Sequence, residues 1–524
     1  MKAYAETGRT VPSARVGQKQ SPQRRWAAVL SLCFLSIFCA AAKAAGPTPP
    51  LSHVGRWITD SQNRVVIVHG LNMVYKRPPY YPAKVGFGAD DATFLANHGF
   101  NAVRLGVIYK GVEPKPPSGG KRSYNDAYLA QIANTQKTLA SKGVFSQVDF
   151  HQDLFNEKFQ GEGWPDWQVQ DDGLANPRNG FPNNYLTNPA LNRAFDHFWA
   201  NDLVGGVKLQ DEYAAAWQHV ARIFRDSNWV LGYDVMNEPW PGSGWQTCAQ
   251  PAGCPQFDQG PLAAMTRKST TAIRSVDGRH IVWHEPNVIF NFGSQSHLPA
   301  IGSNSGFSFH DYCLTPGSQD CPTSEALVFQ NADDEAAQTN RALLLSEFGA
   351  TDDLTEINRI ANLADAHMVS WLEWHYCGCS DPTTSGPGDV QALVIDPRQP
   401  PRGKNIKYNK LKTLDRAYPE TVAGTPEQFQ FHPSTGIFNL RYSTKAPVGH
   451  RLAPSVKTIV FVPHIHYPDG YQVRVTGARV VSPAGSQRLE LERRLGASEV
   501  RLQVSPKAAL AQASDQAAGG RIAR

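Results

Sequence analysis

Two short motifs set a carboxylate where an apolar run stops: Asn237-Glu238-Pro239 follows VLGYDVM (230–236), and Ser346-Glu347-Phe348-Gly349 ends ALLLSE (342–347). Two carboxylates in different environments, one protonated and one ionised, can open an acetal. One gives its proton to the leaving oxygen while the other attacks or activates water. Other runs end in residues that suit such a site: Arg104 in NAVRLGV (101–107), His151 after VFSQVDF (144–150), His310 and Tyr312 at the end of GFSFHD (306–311), and Trp374 closing VSWLEW (369–374). Singly each has an ordinary explanation, since Asn-Glu-Pro often starts a helix and a strand-end His or Trp is often core. In succession, each at the same end of a different run, they are not what packing alone produces. Glu285 of His-Glu-Pro and Glu373 are competing acids, but strand alternation turns Glu373 away from the side that holds Trp374. Other chemistries lack their signatures. There is no GxSxG elbow, no CxxC pair or HExxH for zinc, and no glycine-rich phosphate loop after any run.

Residues at equivalent ends of successive strands need a frame that points those ends at one place. The runs RVVIVHG (64–70), 101–107, 144–150, 230–236, HIVWHE (280–285), 306–311, 342–347 and 369–374 are eight β-rich segments, with helical-period segments such as 127–141, 209–225 and 355–367 between them. That rhythm predicts an α/β fold, a (β/α)8 TIM barrel over 50–420. Beyond Glu420 the runs QFQFHP, GIFNLRYS, TIVFVPH, YQVRVTGARVVS, RLELE and EVRLQV alternate apolar and polar residues. They predict a C-terminal antiparallel β-sandwich domain over 421–505, followed by a disordered Ala/Gly/Gln-rich tail over 506–524.

At 41% apolar, 10% aromatic and 19% charged, the 524 residues have core material and too little charge for a disordered chain. The net charge of +5 comes from the first 45 residues, which hold seven bases and one acid; without them 44 basic residues face 45 acidic ones. No basic face remains to bind nucleic acid. Arg24-Arg25, an apolar run and Ala42-Lys43-Ala44-Ala45 read as a signal peptide over 1–45 of a secreted or periplasmic protein, with an uncleaved anchor as the competing reading. Six of the eight cysteines lie beyond the leader, as the pairs Cys248/Cys254, Cys313/Cys321 and Cys377/Cys379. In an oxidising compartment disulfides are the first reading and a metal site the rival, and a bridge within Cys377-Gly378-Cys379 would be strained.

The barrel resembles glycoside hydrolase family 5, the cellulase A family, and within it the endoglycoceramidase branch. Arg104, His151, Asn237, Glu238, His310, Tyr312, Glu347 and Trp374 match the family's eight active-site positions, and HGLNMVYKRPPYYP (69–82), DFHQDLFNEKFQGEGWPDW (149–167), GYDVMNEPWPG (232–242) and HDYC (310–313) resemble the branch. The likeness spans roughly 50–505. It implies a retaining endo-β-glycosidase with Glu238 as acid/base and Glu347 as nucleophile, releasing intact glycan from the ceramide of glycosphingolipids at a lipid surface or micelle. Arg104 and Tyr312 are the candidates for holding Glu347, Asn237 for the sugar 2-hydroxyl, His151 and His310 for orienting the ring and the carboxylates, and Trp374 for an apolar floor. By resemblance Lys76, Asp153, Trp164 and Trp167 contact the glycan; Trp240, Trp245, Ile289 and Phe290 could line a ceramide slot. A monomer with no cofactor and no metal is expected. The alternatives are a β-glucosidase, glucosylceramidase or β-glucanase of the same family, and a catalytically inactive barrel that binds carbohydrate or membrane.

Overall fold

The computed structural model describes residues 46–313, 318, 320–384 and 388–507. The expected leader, and the expected tail apart from Pro506 and Lys507, lie outside the described residues; Pro506 completes the last strand. No helix among the described residues is long and apolar enough to cross a membrane.

Eight parallel strands close a barrel in chain order: β1 (His69–Met73), β2 (Ala102–Ile108), β3 (Phe145–His151), β4 (Val230–Asp234), β5 (Val282–His284), β6 (Ser305–Asp311), β7 (Ala342–Phe348) and β8 (Ser370–Glu373). Helices Asp126–Ser141, Leu209–Phe224 and Leu354–His367 lie where the periodicity places them. Asp353 starts the third by accepting from the Thr355 N–H at 2.9 Å, the usual service of an N-cap carboxylate.

The barrel interior is tiered, as in other closed parallel sheets. Near the strand starts Ala102, Phe145, Leu231, Ile281, Ala342, Leu344 and Leu372 form an apolar plug. Above it lies a polar tier, in which Asn72 donates to the Ser346 carbonyl (2.8 Å), Gln147 to Asp234 (3.1 Å) and Ser308 to the Ser346 hydroxyl (2.7 Å). Leu71, Val103, Phe307, Phe309, Leu343 and Leu345 face outward into the helix layer.

Two bulges change which residues face inward. On β4 the pairing steps from Ser146–Val230 to Gln147–Gly232, so Leu231 and Asp234 both point in although three residues apart. Gly232 takes φ +147° there, and a Cβ would stand 2.3 Å from the Ile281 carbonyl oxygen, so only glycine fits. On β7 the pairing steps from Phe309–Leu345 to His310–Glu347, so Ser346 and Glu347 both face the interior.

The second domain is a sandwich of two antiparallel sheets. One pairs Thr425–His432, Ile437–Ser443, Glu499–Pro506 and Tyr471–Thr476, with the alternating burial their sequences show. The other runs Ser52–Val54, Trp57–Thr59, Val65–Val66, Tyr418–Val422, Thr458–Phe461, Arg488–Arg493, Ala478–Val480. The run 64–70, read as one barrel strand, therefore divides. Val65 and Val66 pair with Val422 and Thr421 in the sandwich, and β1 begins at His69. A continuous buried run carries no mark of where it changes sheet. All three cysteine pairs are bridged, including Cys377–Cys379.

The two domains meet over a buried seam. The His69 ring lies between Trp371 (4.2 Å between centroids) and Tyr418 (3.7 Å). Arg416 donates to Asp365 (2.9 Å), Asn358 (3.0 Å) and the Phe431 carbonyl (3.1 Å). Arg416→Met would strand the buried Asp365 carboxylate, and a loss of about 3–5 kcal/mol is expected from removing one partner of a buried pair. Urea unfolding of the variant measures it, and an unchanged midpoint would contradict this account of the seam.

Candidate active site

The cluster at the barrel mouth is organised around Arg104, which has no exposed surface. It is not a strand-end residue but the third of the seven residues of β2, deep in the polar tier. Its guanidinium donates to Asp234 (3.1 Å), Asn237 (2.9 Å) and Glu285 (2.7 Å), reaches Asp149 (3.1 Å) and donates to Glu347. Burial disfavours its charge, but Asp149, Asp234, Glu285 and Glu347 outweigh this and hold it well above its ordinary value.

Glu347 receives, besides Arg104, the Tyr312 hydroxyl at 2.9 Å. Burial first and the charge of Glu347 next keep Tyr312 protonated, hence a donor. Glu238 stands across the mouth. One of its oxygens accepts from the Asn291 amide (2.8 Å) and lies 2.9 Å from His310 Nδ1. Oxygens of Glu238 and Glu347 and a ring nitrogen of His310 all lie within 4.8 Å of one another. Burial pushes the Glu238 carboxyl up and the Glu347 charge adds to this, while His310 opposes both. His310 itself is held well above its usual value in spite of burial, chiefly by Glu285 and Glu347. The Glu238 backbone sits at φ +43°, in the left-handed region that costs an L-residue about 1–2 kcal/mol, so its surroundings must impose it.

A second cluster adjoins the first. His151 Nδ1 lies 2.8 Å from Asp149 and its ring stacks at 5.3 Å on Trp374; Asp149 raises its pKa to about 9 against the effect of burial. Trp374 donates to Gln391 at 2.9 Å, and the Lys76 ammonium lies 4.4 Å from its ring centroid. Lys76 reaches Asp153 (2.7 Å), Thr383 (2.8 Å) and Asp381 (3.4 Å). His151, Asp153 and Glu162 are close enough to hold a cation, but the ammonium of Lys76 already stands among them, 3.9 Å from Glu162.

The other two expected sugar contacts are Trp164 and Trp167. Trp164 is 1% exposed, stacked on Phe155 at 4.2 Å, so it belongs to the aromatic core beneath the loop. Trp167 is half-buried, with its ring N–H on the Glu113 carbonyl at 3.3 Å. Of the residues read as an apolar slot, Phe290 is core, packed edge-on against Phe307, and Trp240 is buried with its N–H on Asn192 (2.7 Å); Trp245 remains partly open. Glu373 turns outward onto Lys410 at 2.8 Å. The sequence reading missed Asp149 and Asp234 as partners of Arg104, and treated Glu285 only as a competitor. Asp149 lies two residues before His151 and so on the same strand face, a signal alternation offers; Asn291, on the short 3-10 helix Val288–Phe292, and Asp381 and Thr383, on a loop, carry none.

The family model for cellulase (glycosyl hydrolase family 5) matches residues 60–380, and that for the glycoside hydrolase family 5 C-terminal domain matches 416–504. Endoglycoceramidase I of Rhodococcus hoagii is 30% identical over 462 residues, covering 84% of this chain and 86% of that protein. The fold is similar to endo-glycoceramidase II from Rhodococcus sp. solved as a lactosyl-enzyme intermediate (TM-score 0.69, 27% identity, 85% of this chain and 98% of that one). It is also similar to the same enzyme in complex with ganglioside GM3 (TM-score 0.68, 26% identity, 86% and 99%).

Glu347→Gln removes an anion that raises Glu238. The Glu238 carboxyl is therefore expected to titrate at lower pH in the variant than in the parent, which 13C NMR of labelled glutamate detects; an upward shift would contradict the coupling.

Proposed function

Because this chain belongs to glycosyl hydrolase family 5, we propose that it is a retaining endoglycosidase that hydrolyses the bond between oligosaccharide and ceramide in glycosphingolipids, with Glu238 as acid/base and Glu347 as nucleophile. One observation carries the roles. Two carboxylates approach within 4.8 Å, one braced by Arg104 and Tyr312 and the other pushed toward its protonated form. Retaining glycosidases space their carboxyls at about 5–5.5 Å, whereas inverting ones leave room for a water.

In the first step a Glu347 oxygen attacks the anomeric carbon as the carbon–oxygen bond to ceramide breaks, and Glu238 gives its proton to the leaving ceramide oxygen. Arg104 and Tyr312 hold and aim the nucleophile. Forming the ester removes the charge of Glu347, so Glu238 loses a group that raised its pKa and is left as a base. It then takes a proton from water, the oxygen of which attacks the anomeric carbon and frees Glu347. Asn237, anchored on Arg104, is the donor for the sugar 2-hydroxyl, and Trp374 with Lys76 and Asp153 forms the glycan side of the cleft.

The substrate class rests on the relatives: R. hoagii endoglycoceramidase I over most of both chains, and the related structure that holds ganglioside GM3. The approach to a lipid surface or micelle as a monomer belongs to the same proposal. So does export by the leader over 1–45, a reading supported by three disulfides in the described chain, which an oxidising compartment preserves.

Incubation with lactosylceramide or ganglioside GM3 in detergent micelles should release intact oligosaccharide and ceramide in equal amounts. Cleavage of a soluble β-glucan with both lipids untouched would overturn the substrate assignment. Glu238→Gln should lower kcat/KM on the lipid by about 10²–10⁴-fold, the usual worth of a general acid; an unchanged value would remove Glu238 from that role.

A further inference from the structure

The residue that follows β5 makes a contact the two-carboxylate mechanism does not use. Glu285 divides its carboxylate. One oxygen accepts the main-chain N–H of Glu238 at 2.8 Å, and the other accepts from Arg104 at 2.7 Å and lies 3.4 Å from His310 Nε2. From the opposite side the Gln152 side-chain amide donates to the carbonyls of Asn237 (3.0 Å) and Glu238 (3.1 Å). The Val288 N–H, on the loop that carries Glu285, donates to the Pro239 carbonyl at 3.1 Å. The left-handed peptide of Glu238 is thus gripped at its N–H by an acid and at its C=O by an amide, and both grips are buried.

We propose that Glu285, with Gln152 as its counterpart, is the positioning residue that sets the direction of the Glu238 side chain and ties it to the cationic pair facing Glu347. The inference rests on Glu238 being the acid/base. A carboxylate suits this post because both its oxygens accept, and the two groups hydrogen-bonded to it, a peptide N–H and a guanidinium, only donate. Glutamine has a single acceptor oxygen, so in Glu285→Gln an NH2 group must oppose either the Glu238 N–H or Arg104. Aspartate, one methylene shorter, cannot span both.

The test separates proton donation from everything else in the site. Glu285→Gln and Gln152→Leu are compared with the parent on lactosylceramide and on 2,4-dinitrophenyl β-lactoside, whose leaving group departs without a proton. In both variants kcat/KM should fall about tenfold more on the lipid than on the aryl lactoside, and in Gln152→Leu, whose side chain does not touch Arg104, kcat/KM on the aryl lactoside stays within about threefold. On the aryl lactoside kcat and KM should fall together, because the same glutamate must activate water in the second step. Loss by one factor on both substrates, or loss on neither, overturns the proposal. Gln152→Leu leaves the charge balance intact and carries the test if Glu285→Gln does not accumulate as folded protein. If the parent fails on lactosylceramide but cleaves the aryl lactoside, the lipid assignment has failed and the contrast is taken with methyl β-lactoside instead.

Discussion

Removing a guanidinium from water is expensive, and doing the same to four carboxylates is more so. Placed together, with Arg104 among Asp149, Asp234, Glu285 and Glu347, each buried group is tolerable only while the others keep their positions. The arrangement cannot relax piecemeal. Glu347 is therefore held on two sides, by Arg104 and by the Tyr312 hydroxyl, in a buried place. The polar tier of Asn72, Gln147, Ser308 and Ser346 beneath Arg104 continues the same logic, giving the buried charges hydrogen-bonded neighbours before the apolar plug begins.

The frame supplies what charge alone cannot. Two bulges, one opposite Gln147 and one opposite His310, turn Asp234 and Glu347 inward out of step with the strand alternation. The carboxylate that faces Glu347 is set by an unfavourable backbone angle rather than by a strand, so its direction depends on neighbours just past β3 and β5, Gln152 and Glu285. The two facing carboxylates, Glu347 and Glu238, are thus placed by different devices, a bulge for one and a gripped turn for the other.

Much of this was legible in the residues. The eight runs and their order gave the barrel, and Glu238, Glu347, His151, His310, Tyr312 and Trp374 do meet at its mouth, because residues that end parallel strands must converge there. Depth was less legible: Arg104 lies inside β2, and alternation cannot say how far along a strand the polar tier begins. Trp164 misled because an aromatic on a mouth loop reads the same whether it faces the cleft or is 1% exposed under it. Glu285 was visible as an acid, but its importance lies in a main-chain contact with a residue 47 positions earlier, which no side-chain pattern encodes. The run 64–70 looked like one strand because both of its halves are buried.

That last division bears on how the chain acquires its shape. The strands Ser52–Val54, Trp57–Thr59 and Val65–Val66 precede every strand of the barrel, yet the sheet they belong to is completed by Tyr418–Val422, Thr458–Phe461, Arg488–Arg493 and Ala478–Val480. The first two pair locally, but the other partner of Val65–Val66, at Thr421 and Val422, emerges after every strand of the barrel. Contacts so distant in sequence form slowly, and an unpaired edge left waiting is open to wrong partners. The strands of the barrel are all made before Tyr418–Val422, so Val65–Val66, among the earlier strands to be made, is among the later ones to find its sheet.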